Sequence, residues 1–170
     1  MARERIARAD YFAAMEFLRS ALKQLERDPD SHLERAQCYI EMARCLNQRG
    51  EYASALDYAR WAKNLLRKGW DVDVMLAEAD LEIGFAEVRT GEYREAQRHL
   101  ARAYSTFARR AALAKAAACL ESIGVLARQS EQVARAINAF NFARQLYRQV
   151  EDVGGIQRTT SHLQELIPTE

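Results

Sequence analysis

The sequence predicts an all-α solenoid of antiparallel helical hairpins, about 3 to 4 repeats long, and three observations carry that expectation. Ala, Leu, Glu, Arg and Gln abound while only two prolines and seven glycines occur, a composition of helix formers. An apolar stripe with helical spacing returns four times, from residues 11, 52, 93 and 133. A turn signal precedes each of the last three stripes: Gly50-Glu51-Tyr52, Gly91-Glu92-Tyr93 and Glu131-Gln132-Val133.

The stripe is read at offsets +3, +7, +10 and +14, which lie on one helix face. From Tyr52 it runs Ala55, Ala59, Ala62, Leu66, and from Tyr93 it runs Ala96, Leu100, Ala103, Phe107. From Val133 it runs Ala136, Phe140, Ala143, Tyr147, and from Tyr11 it runs Ala14, Leu18, Ala21, Leu25. A second helix precedes each turn and aligns on its own face: Ala36, Ala77, Ala117; Met42, Ile83, Ile123; and Ala43, Gly84, Gly124. Glycine inside a helix costs about 1 kcal/mol relative to Ala. Its return at a small-residue position therefore predicts a close crossing by the partner helix.

These elements place one domain over 1–170. It comprises the second helix of a partial repeat at 8–27, repeats at 32–68, 73–109 and 112–150, and a capping helix at 155–167. The longer stretches 68–74 and 109–115 are read as links between hairpins. The reduced first hairpin leads to the expectation of a piece cut from a longer chain, with a short natural protein whose first hairpin is reduced as the alternative.

A helix pair with a small residue in the first helix, Gly-x-Tyr at the turn, then Ala and a large residue in the second resembles the tetratricopeptide repeat. The resemblance covers about 150 of the 170 residues. It departs from the pattern in length, 40–41 residues against about 34, and in the absence of the first-helix Trp. Lengthened repeats of this kind resemble those of bacterial signal-responsive transcription activators, including the maltose-regulon activator type, and of kinesin light chains. The stretch 150–166 is similar to the bacterial kind. The resemblance implies a right-handed superhelix whose first helices line a concave groove, and a protein or peptide segment as partner. The Lys and Asn clamp with which some heat-shock co-chaperones of the family hold a C-terminal carboxylate is not matched here.

Composition excludes several other classes. Net charge is +1, so no global field draws the chain to nucleic acid or to an acidic membrane. Charge is uneven, however: residues 71–87 carry six acids and no base, and 89–148 carry eleven bases and four acids. Cys38, Cys45 and Cys119 form no CxxC and fit free thiols in a reducing cytoplasm. His32, His99 and His162 show no metal-ligand spacing, and neither a phosphate loop nor a nucleophile motif is present. No cofactor and no catalysis are expected. No run approaches the length of a membrane span.

The expected binding stripe lies on the first helices. It reads Gln37, Ile40, Arg44 and Asn47; then Glu78, Leu81, Phe85 and Val88; then Glu121, Val125 and Arg128, with Ala118 beside them. Apolar side chains flanked by charges are what a peptide groove requires. Two further positions stand out. Asp80 and Glu87 occupy core-like places and need partners, for which an Arg after Arg89 is expected. Trp70 is expected to wedge the link after Gly69. The functional expectation is a non-catalytic binding scaffold or sensor of a larger bacterial regulator. The alternative is a self-assembly module that stacks on a second copy, and a nucleic-acid role for 89–148 is the least favoured.

Overall fold

A computed structural model describes residues 2–67 and 72–166, with residues 2–10 as backbone alone. All regular structure among the described residues is helical. In chain order the helices are α1 (Ala2–Leu25), α2 (His32–Arg49), α3 (Tyr52–Leu66), α4 (Asp73–Thr90), α5 (Tyr93–Arg109), α6 (Leu113–Gln129), α7 (Val133–Gln149) and α8 (Val153–Leu166). They divide between two compact units, Met1–Ala86 and Glu87–Glu170. No helix among the described residues is long and apolar enough to cross a membrane.

In the first unit α3 buries Ala55, Ala59, Ala62 and Leu66 completely, so the stripe at +3, +7, +10 and +14 is its core face. Around it Ala43, Leu56, Ala59, Ile83 and Ala86 form one cluster, and Ala36, Ile40, Ala62, Leu66, Val72 and Ala79 form another. Helix α1 joins through Met15 and Leu22, which pack with Met42, Leu46 and Ala55. Tyr11, Ala14, Leu18, Ala21 and Leu25 are only half-buried, so the first copy is rotated from the register its stripe predicts. Met15 and Leu22 are seven apart and define the face that α1 presents to α2.

The second unit repeats the pattern. Ala96, Leu100, Ala103 and Phe107 on α5, and Ala136, Phe140, Ala143 and Tyr147 on α7, are buried. Gly124 shows why α6 needs a small residue: a Cβ there would lie 2.6 Å from Phe140 Cε1. Gly155 on α8 does the same for Tyr147, whose ring carbon would lie 2.5 Å from an added Cβ.

One turn geometry serves both inside and between hairpins. The amides of Glu51, Glu92, Ala112, Gln132 and Asp152 each donate to the carbonyl five residues earlier, at 2.8–3.0 Å. The residue before each sits in the left-handed region: Gly50 at φ 81° and Gly91 at 87°, then Ala111, Glu131 and Glu151 at 52–59°. This is the Schellman closure of a helix end, which glycine enters without steric cost. It reverses the chain within two or three residues. The segment 109–115 is therefore not a long link, because α5 runs to Arg109 and α6 begins at Leu113. In the second unit the extra length of the repeat lies in the helices, which reach 17 residues in α5, α6 and α7, while 68–71 of the other expected link lie outside the described residues. Trp70 lies outside the described residues.

Candidate functional site

In the first unit the expected binding residues converge on one buried acid. Glu82 of α4 accepts a bond from Arg44 Nε at 3.0 Å and from Asn47 Nδ2 at 2.9 Å. The same Asn47 nitrogen also reaches the Glu82 carbonyl at 2.9 Å. Arg44 is held on its other side by Glu41, at 2.9 Å to each carboxylate oxygen, and Gln37 donates to Glu41 at 2.9 Å. Burial pushes the Glu82 carboxyl above the usual range, while Arg44 and Asn47 pull it back. Burial works against the Arg44 charge too, but Glu82 and Glu41 outweigh it and raise its pKa. Asn47 Oδ1 is buried and has no hydrogen-bond partner among the described residues.

Several stripe positions are core rather than groove. Ile40 is fully buried among Ala36, Ala62 and Leu66, because it stands four residues after Ala36 and three before Ala43 and so shares their face. Asn47, Glu78, Val88 and Val125 are buried as well. The half-buried members are Gln37, Arg44, Leu81, Phe85, Glu121 and Arg128. Leu81 and Phe85 lie one turn apart on α4 and form the apolar part of that face.

The buried acids find partners of a kind the sequence did not single out. Lys63 Nζ bonds Asp80 at 2.5 Å, and His99 Nδ1 lies 2.8 Å from Glu87 Oε2. Lys63 precedes the acid by 17 residues, which places it on the preceding second helix. Trp61, half-exposed, sets its ring edge-on to Tyr58 at 5.0 Å and to Tyr39 at 5.8 Å.

In the second unit α8 sits over the expected stripe of α6. Arg158 Nε donates to Glu121 Oε1 at 2.9 Å, and the Tyr147 hydroxyl donates to Glu121 Oε2 at 2.8 Å. Seven residues further on, Arg128 pairs with Glu165. The Glu121 bond raises the Arg158 pKa, and burial together with Glu121 raises that of Tyr147. His162 stacks on Phe140 with centroids 4.7 Å apart. Burial and the nearby Arg128 hold its pKa below the ordinary value. These partners have a legible spacing: Arg44 to Glu82 is 38 residues, and Glu121 to Arg158 and Arg128 to Glu165 are each 37. Scanning the stripe for opposite charge at about one repeat less a turn finds all three.

Burial pushes the Cys38 and Cys45 thiols upward, with the Glu41 charge adding to it, so neither is poised as a thiolate.

No protein-family model and no curated protein sequence matches the chain. Among solved structures, the crystal structure of the apo form of RapI resembles it with a TM-score of 0.70 at 14% sequence identity. The likeness covers 94% of this chain and 44% of that one, so this chain spans less than half the length of RapI. It shows the fold alone, an all-α solenoid of tetratricopeptide-like helical repeats.

Proposed function

We propose that the chain is a non-catalytic module that binds a protein or peptide segment on its first helices, as the sensor or scaffold part of a larger bacterial regulator. The observation that carries this reading is the α4 face of Leu81 and Phe85. These half-buried apolar side chains stand on the helix whose Glu82 fixes Arg44 and Asn47 of α2. An apolar centre beside oriented charges gives a bound segment both affinity and register. Arg44 is a poor target for testing it, since its loss strands Glu82. The test is to select binders from a random peptide library on the whole chain, then compare Phe85→Ala with the parent. A loss of at least about tenfold in affinity at unchanged melting temperature supports the face. Equal binding by the two chains removes it.

The alternative, association with a second copy, is favoured by α1, where Phe12 is 63% and Phe17 73% exposed. Light scattering decides it: a monomer across the accessible concentration range removes this reading.

A further inference from the structure

Helix α8 is built unlike the helices it packs on. Its buried positions are Gly155, Thr159 and Leu163, so one large apolar side chain is fully buried where α7 buries Phe140 and Tyr147. The hydroxyls of Thr159, Thr160 and Ser161 turn back onto carbonyls four residues earlier, at 2.7, 2.7 and 3.1 Å. Two glycines and three hydroxyl residues give α8 a weak intrinsic preference for helix. Ile156 packs with Ala117, Ala143 and Tyr147 and the His162 ring stacks on Phe140, and the rest of the hold is ionic: Arg158 on Glu121 and Glu165 on Arg128. Both pairs are partly exposed, with Arg158 55% and Glu165 59% accessible. On α6 the anion precedes the cation by seven residues and on α8 the cation precedes the anion by seven, so the two pairs match two turns apart along one seam.

We infer that the α6–α7 face bearing Glu121, Arg128, Phe140 and Tyr147 is a seat for an amphipathic helix, and that α8 occupies it as the chain's own competitor. The external partner is a helix with a cation and, two turns later, an anion, and with a glycine three residues before the cation to admit the Tyr147 ring. Such a helix reproduces both ion pairs α8 makes, and an ionic seam is released by salt far more readily than an apolar one. This rests on the reading that first helices carry the partner face, to which it adds a built-in cover for α6.

The test uses the whole chain throughout. Hydrogen exchange followed by mass spectrometry is run at 0.05 and 0.5 M NaCl, conditions that differ in screening length by roughly threefold. Amides of 156–166 are expected to exchange at least about tenfold faster at the higher salt, with those of 137–149 unchanged. Equal rates for α7 and α8 at both salts overturn the proposal, because α8 is then an integral layer. Next, a labelled synthetic peptide of residues 150–166 is titrated into the parent chain and into the Arg158→Glu, Glu165→Arg chain. The variant repels its own α8 and is expected to bind the peptide at least about tenfold more tightly, since a tethered α8 competes at roughly millimolar effective concentration. A variant whose α8 exchanges freely but ignores the peptide overturns the seat, as does one whose α8 stays protected. Peptide selection on Leu81 and Phe85 is independent of these arms, so failure of the seat and failure of the wider reading are told apart.

Discussion

The two units solve one problem, joining the first helix of a hairpin to the next first helix, in opposite ways. Between α2 and α4 the join is a buried charge: Glu82 is 8% exposed and is met by Arg44 and Asn47. Between α6 and α8 it is a pair of partly exposed bridges at Glu121 and Arg128. A buried ion pair adds little net stability, because desolvation of both charges offsets their attraction, but losing one partner is costly. A partly exposed pair adds little and costs little to lose. The first seam therefore fixes register, and the second can open.

Arg44→Met is the substitution expected to do most damage. It leaves the Glu82 carboxylate buried against an apolar side chain, at a cost of about 2–4 kcal/mol, below the fully buried case because Arg44 is itself partly exposed. Adding Glu82→Gln is expected to recover most of the loss, since the stranded charge is then gone. Denaturant melts of the four chains of this cycle measure it. An Arg44→Met chain as stable as the parent would remove the contrast between the seams.

Packing at the hairpin crossing differs between the units in a related way. In the first unit Ala43 and Ala59 share a cluster, and at the matching places of the second Gly124 meets Phe140. The two pairs divide similar volume differently. Gly124→Ala is expected to cost about 1–2 kcal/mol, as overpacking against the ring exceeds the gain of about 1 kcal/mol in helix preference. Combining it with Phe140→Leu is expected to return part of that loss, as read from melting temperatures. An additive double variant would show that the two positions do not share the space.

These particulars show what the sequence made legible. The α3, α5 and α7 stripes could be read because burial there follows helix period alone, and the small residue at Ala43 and Gly124 because each packs with the stripe of its own hairpin, at Ala59 and Phe140. The binding stripe was less legible. The groove stripe places Ile40 outward, although Ala36 and Ala43 on either side of it fix its face inward. Glu121 and Arg128 looked available because nothing local to α6 reveals that α8 covers them. The repeat length was legible, its placement was not: helix extension and link extension give the same period until the Schellman turns are seen.

Acid should move the two seams in opposite directions. His162 has a folded pKa below its unfolded value, so the unfolded chain binds the proton more readily, and its contribution to stability is lost as pH falls below about 6.5. Glu82 has a folded pKa above its unfolded value, so its contribution grows as pH falls toward 4.5 and is lost as pH rises through the folded value. Hydrogen exchange between pH 7 and 5, corrected for intrinsic rates, is expected to show α8 losing protection while α2 and α4 hold or gain it. His162→Gln should flatten the first response and Glu82→Gln the second. Responses of the same sign in both units would mean that other groups dominate the titration.

The smallest effect separates a bridge that stabilises from one that merely aligns. Glu165 is the most exposed member of the α6–α8 seam, so Glu165→Gln is expected to cost well under about 1 kcal/mol at low salt. At 0.5 M NaCl the difference from the parent should vanish, because screening has already removed what the carboxylate contributed. Arg44→Met, whose cost is desolvation at a buried site, should keep most of its penalty at that salt. A salt-independent Glu165→Gln penalty would place this pair with the buried seam and leave the molecule with two register locks and no opening one.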